Sequence, residues 1–85
     1  MFEVRIGAEA QLQFDALPAS MQPRIQNVFQ RLAHYPAVSG MKPLTREFKG
    51  AYRIRAGDWR VVFTVDRPTN RITVFRIANR RDVYE

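Results

Sequence analysis

The chain has 85 residues, 46% hydrophobic and 12% aromatic, with 14 Lys and Arg against 8 Asp and Glu and no cysteine. That length and composition predict one small domain over 1–85 with a packed core, and exclude a disordered tail. Disulfides and thiolate metal sites are excluded, which fits a reducing cytoplasm; no apolar run nears the ~20 residues of a membrane span, and M-F-E-V-R-I-G reads as a strand rather than a secretory leader.

Phe2, Val4 and Ile6 alternate with Glu3 and Arg5, the period of a first strand with one buried face, and Gly7 ends it. Residues 8–17 read as a short helix with Ala10, Phe14 and Leu17 on one side, closed by Pro18. Ser20 is the expected N-cap of a longer second helix, with Pro23 in its first turn, where a missing amide does no harm. Met21, Ile25, Val28, Phe29 and Leu32 make its apolar stripe, and Pro36 and Gly40 mark its end. From residue 51 the period switches to two. Strands are predicted over 51–56, 59–66 and 71–78, joined by turns at Ala56-Gly57-Asp58 and at Arg67-Pro68-Thr69-Asn70. In the middle strand Trp59, Val61, Phe63 and Val65 would face the helices, while Arg60, Val62 and Thr64 face away. The expected fold class is α+β: an N-terminal strand, a helical hairpin, then three antiparallel strands, with both helices packed on one face of a four-stranded sheet.

The net charge of +6 is unevenly placed. Residues 1–41 balance Arg5, Arg24 and Arg31 against Glu3, Glu9 and Asp15, so the whole excess lies in 42–85. There arginines recur at alternate strand positions, so Arg53 and Arg55 share a face while Tyr52 and Ile54 turn to the core. A row of guanidinium groups on a rigid sheet stabilises a fold poorly and holds phosphates well. Nucleic acid is the first partner it implies. Pairs such as Arg55 with Asp58, or Arg81 with Asp82 or Glu85, would be exposed and worth only about 0–1 kcal/mol each. Several cations are left over.

The commoner catalytic sets are missing. His34, the one histidine, sits near the end of the second helix and reads as an ordinary helix-terminal residue. No paired carboxylates, Gly-rich phosphate loop or nucleophile arrangement occurs, and no cluster of oxygen ligands for a hard cation. Neither a cofactor nor a metal is expected. The candidate catalytic residues are Arg60, Arg80, Arg81 and Tyr84; the candidate RNA- and phosphate-binding residues are Lys49, Arg53, Arg55 and Arg76. Guanidinium groups neutralise the dianionic phosphorane that forms when a ribose 2′-hydroxyl attacks the adjacent phosphate. DNA lacks that hydroxyl. Arginine is a poor base. A phenol, with an ordinary pKa near ~10, serves if flanking cations favour its phenolate; otherwise Tyr84 stacks on a base or packs on the sheet.

The run G-A-Y-R-I-R-A-G-D-W-R-V-V-F-T-V-D over 50–66, the I-T-V-F-R-I strand and the R-R-D-V-Y tail together resemble the RelE/ParE superfamily of bacterial toxins. These are the toxin halves of type II toxin–antitoxin pairs. The likeness covers nearly the whole chain and is most specific over 44–84. It implies a microbial-RNase-like fold and, for the RelE branch, metal-independent cleavage of mRNA in the ribosomal A site. Arg53 and Arg55 then match basic residues on the strand after the helices, Arg60 the arginine of the next strand, Arg80 or Arg81 the tail arginine, and Tyr84 the terminal tyrosine. Two departures stand out: Asn79 replaces the histidine that many relatives carry before the tail, and Arg53 and Arg55 replace lysines. The resemblance further implies a cognate antitoxin whose acidic or amphipathic segment wraps the domain, with a helix in the groove between the second helix and the sheet. Ribosome and mRNA are implied partners, as is a higher-order toxin–antitoxin complex on operator DNA. Two alternatives remain open, a ParE-like inhibitor of DNA gyrase and a catalytically weak toxin acting with its antitoxin in transcriptional autoregulation.

Overall fold

The computed structural model describes residues 1–44 and 50–82. Along them run β1 (Glu3–Ile6), α1 (Ala8–Asp15), α2 (Gln22–Leu32), β2 (Lys42–Pro43), β3 (Ala51–Ala56), β4 (Trp59–Asp66) and β5 (Arg71–Asn79), then a 3-10 turn at Arg80–Asp82. The strands form one sheet in the order β1-β5-β4-β3-β2, with β1 parallel to β5 and the other neighbours antiparallel. The three long strands lie where the period of two sets them, β5 running one residue further. The expected four-stranded sheet gains a fifth strand, because Lys42 and Pro43 pair with Arg53 and Tyr52. Two residues show no period, and a proline fits the ladder only at an edge.

The helices also differ from expectation at their ends. α1 stops at Asp15, and the Leu17 N–H turns back to the Phe14 carbonyl at 3.1 Å. The N-cap of α2 is Met21 rather than Ser20, and no side chain caps it. Residues 18–21 close their own turn through the Met21 N–H and the Pro18 carbonyl at 2.8 Å, leaving Ser20 exposed. Pro23 falls in the first helical turn, as its sequence position predicts.

One face of the sheet carries Ile54, Val61, Phe63, Ile72, Val74 and Ile77 into a core closed by Ala10, Leu17, Ile25, Val28 and Leu32. Tyr52 stacks on Phe63 across the β3–β4 pair, with ring centroids 5.9 Å apart. Tyr35 is buried against Phe2, and its hydroxyl accepts from Arg67 Nη2 at 2.9 Å, which spares the core an unmet polar group. A smaller cluster of Leu44, Ala51 and Val62, with Phe75 packed on it, lies on the opposite, outer face. No described helix is long and apolar enough to cross a membrane.

Two features position the outer face and the end of β5. Gly7 starts α1 hard against β5: its N–H donates to the Val74 carbonyl at 2.8 Å, and a Cβ there would meet that oxygen at 3.3 Å. A β-bulge then interrupts the β4–β5 ladder. Val62 pairs with Arg76 while Phe63 pairs with Val74, so Phe75 is the extra residue. Strict alternation from Ile72 and Val74 would drive Arg76 into the core. The bulge turns Arg76 to the outer face and gives the core Ile77 instead.

Candidate nucleic-acid interface

Paired residues of neighbouring strands share a face, so the register lays out the outer surface row by row. One row runs Lys42–Arg53–Val62–Arg76 across β2, β3, β4 and β5. The next runs Arg55–Arg60–Ala78. With strands about 4.8 Å apart, these cations gather on two adjacent rows that span four strands. Arg60 lies at its centre and is only 6% exposed. Its Nη1 donates to the Trp59 carbonyl at 3.3 Å. Arg55 stands directly opposite, and like charges at such a position destabilise a strand pair.

Toward the β1 end the same face carries an acid among its arginines. Glu3 takes Arg71 Nε at 3.1 Å and Arg5 Nε at 3.4 Å. The hydrogen bond from Arg71, and then the charge of Arg5, hold the Glu3 carboxyl below its ordinary range. Basic character is therefore concentrated at the β2–β3–β4 end, where the sequence places its excess.

The tail arginines sit beside this surface. The Arg80 N–H donates to the Asp58 carbonyl at 2.7 Å, docking the 3-10 turn on the β3–β4 hairpin. Arg80 Nη1 also lies 4.0 Å from Asp58 Oδ1, so the acid expected to face Arg55 stands against the tail instead. Gly57 makes that hairpin with φ +62°, and a Cβ on it would sit 3.2 Å from Arg24 Nη1. Asn79 Oδ1 accepts from the Arg81 N–H at 3.3 Å. Asn79 thus caps the turn that presents the two arginines.

A cleft of ≈ 470 Å³ opens at the far end of β5, between α1, Trp59, Arg76, Asn79 and Arg81. It exists because β1 is short. Ile6 pairs with Val74, and beyond that no strand among the described residues pairs with β5 on this side. Gln13 of α1 stands in for the missing strand, its Oε1 accepting from the Ile77 N–H at 2.6 Å. A second groove lies between Phe14 and the amide-rich outer side of α2, at Gln22, Gln26 and Gln30.

The structure therefore brings Arg53, Arg55, Arg60 and Arg76 to one face and sets Arg80 and Arg81 at its rim. Lys49 and Tyr84 lie outside the described residues. Sequence reasoning missed Lys42, whose strand is too short to show a period. It also missed the capping role of Asn79 and the edge-filling role of Gln13, which depend on contacts distant in sequence or formed only by the docked tail.

A family model for the ParE toxin of the type II toxin–antitoxin system parDE matches residues 4–84. The chain belongs to this toxin family. As a RelE/ParE toxin it is 32% identical to Toxin RelE of Mycobacterium tuberculosis over 84 residues, covering 98% of this chain and 86% of that one. Toxin RelG of the same organism is 27% identical over 98% of this toxin and 95% of its own length. Among solved structures, the RelBE2 toxin–antitoxin complex of M. tuberculosis superposes with a TM-score of 0.82 at 23% identity, over 92% of this chain and 96% of that one. Isolated RelE of E. coli gives 0.77 at 12% identity, over 93% and 84%. The α+β architecture, with two helices on a mixed sheet, is the RelE-like fold.

Proposed function

We propose that this toxin is a ribosome-dependent mRNA endonuclease that inhibits translation and is neutralised by a cognate antitoxin. The observation that carries the reading is Arg60, buried at the centre of a face that also holds Lys42, Arg53, Arg55 and Arg76. A rigid face that gathers guanidinium groups in this way is complementary to a polyanionic ligand. The likeness to Toxin RelE favours RNA as that ligand.

In the reaction the ribose 2′-hydroxyl gives up its proton and its oxygen bonds to the adjacent phosphorus. The bond from phosphorus to the 5′-oxygen of the next nucleotide breaks, and that oxygen takes up a proton. The products carry a 2′,3′-cyclic phosphate and a 5′-hydroxyl. Arg60, with Arg80 and Arg81 at the rim, meets the charge that develops on the phosphorane. Arg53, Arg55 and Arg76 hold flanking phosphates, joined by Lys42 and Lys49. These cations supply the stabilisation that a metal would otherwise give. Asn79 has no titratable group, so proton transfer falls to Tyr84.

The antitoxin is expected to be a small protein with an acidic or amphipathic segment. Neighbours of the same fold from M. tuberculosis and E. coli form toxin–antitoxin complexes, which supports such a partner. A complex of the pair on operator DNA belongs to the same reading.

A second reading, a ParE-like inhibitor of DNA gyrase, is favoured by the family model itself. Mapping the 5′ ends of a translated message after induction separates the two. Codon-linked cuts that fall at least about a hundredfold in Arg60→Ala and in Tyr84→Phe are expected, as for removal of a charge-stabilising or proton-transfer group. Double-strand DNA breaks with intact message would establish the gyrase reading instead.

A further inference from the structure

We propose that the cleft at the free edge of β5 is a nucleotide subsite, taking one nucleotide of single-stranded RNA with its base against Trp59 and its phosphate between Arg76 and Arg81. The inference rests on the RNA-cleaving reading and adds where the strand lies next to the cut. Size fits first: ≈ 470 Å³ lies within the range of small-ligand pockets, about 300–1,000 Å³. Its polar chemistry fits next. Gln13 Oε1 is committed to the Ile77 N–H, which leaves the Gln13 amide NH₂ as the group to offer a ligand. Asn79 Oδ1 is likewise committed to the Arg81 N–H, leaving its NH₂. The two guanidinium groups are donors only. The cleft therefore presents donors to an acceptor-rich anion, and none of the described residues that line it is acidic.

Trp59 decides between a bare anion and a nucleotide. It lines the cleft half-exposed, on the helix-facing side of the sheet, paired across β4 and β5 with Asn79. An indole wall in a cleft also lined by two arginines suits a π-face joined to a phosphate, since bases of any identity stack on aromatic side chains. The β-bulge makes the junction possible. It turns Arg76 outward at the very edge of the strand, so one guanidinium serves both the outer face and the cleft. A strand of RNA held by Arg53 and Arg55 then has a continuous basic path across Arg76 to Trp59.

Trp59 is the only tryptophan in the chain, so its emission reports occupancy directly. The full 85-residue toxin is titrated with adenosine 5′-monophosphate, adenosine and inorganic phosphate, exciting where the base does not absorb. A saturable change with the monophosphate is expected, at a concentration at least about tenfold below that needed with either fragment. Ala16, exposed on the cleft wall at the end of α1, supplies the second arm. Ala16→Glu sets a carboxylate at the lip and is expected to weaken the monophosphate about tenfold or more, while Ala16→Gln, of the same size, stays near the parent. No saturable change would overturn the subsite. So would inorganic phosphate binding as tightly as the monophosphate, or an Ala16→Glu variant that binds unchanged. A toxin that cuts messages but is blind to the monophosphate loses the subsite alone. One that binds it with this pattern but cuts nothing retains the subsite and loses the nuclease.

Discussion

Arg55 and Arg60 are paired across β3 and β4, one exposed and the other buried. A facing like-charge pair opposes folding by about 0.2–1 kcal/mol, and an anionic ligand lying across the pair would offset that cost. Replacing the exposed member separates the two effects. Arg55→Gln is expected to raise unfolding stability by about 0.2–1 kcal/mol in a urea titration while weakening the hold on single-stranded RNA. A variant that is both less stable and unaltered in RNA binding would remove the functional reading of this pair. Arg55 and Arg60 were legible from sequence because both lie in strands with a clear period of two. Lys42 was not, since a lysine–proline pair shows no period, and only its pairing with Arg53 places it on the same face.

β5 shows how an element departs from its own periodicity. Its residues in the main core are Ile72, Val74 and Ile77, a spacing of two and then three. The extra residue is the bulge, and apolar Phe75 and Ala78 hide that spacing in the sequence, so the register reveals it. The consequence for Arg76 is the difference between a buried cation in the core and a basic group at a cleft. The neighbour of β5 was not legible. Nothing in Phe2, Val4 and Ile6 says that β1 lies parallel to the last strand, or that it stops at Val74. Gln13 fills the space that this short strand leaves. Gln13→Ala removes the acceptor from the Ile77 N–H and is expected to cost about 1 kcal/mol of local stability. Hydrogen exchange at Ile77 should then quicken by about fivefold, with the amides of β3 unchanged. Unchanged protection at Ile77 would mean that the edge is held by something other than this bond.

Across the whole molecule the charge divides as the chain does. The half with no net charge contributes Glu3, which pairs with both Arg5 and Arg71 at one end of the sheet, and the half carrying the excess forms the basic end. Because the Arg71 hydrogen bond and then Arg5 hold the Glu3 carboxyl low in the folded state, its ionisation favours folding. That contribution is fully present above the ordinary value of 4.5 and fades as pH falls through the lowered one. Glu3 is exposed, so the effect is small. Glu3→Gln should flatten the acid limb of the stability–pH curve and leave the neutral plateau nearly unchanged; an identical acid limb would discard the pair as a contributor. The basic end makes a larger claim. If Lys42, Arg53, Arg55 and Arg76 each engage one phosphate, binding to single-stranded RNA should weaken with salt at a logarithmic slope of about −3, since each contact adds about −0.7. Lys42→Gln should bring that slope toward about −2 without altering sequence preference, because a phosphate contact carries no base information. A slope near zero would mean that the arginine face does not grip RNA through its phosphates, and a slope unchanged by Lys42→Gln would take β2 out of the interface.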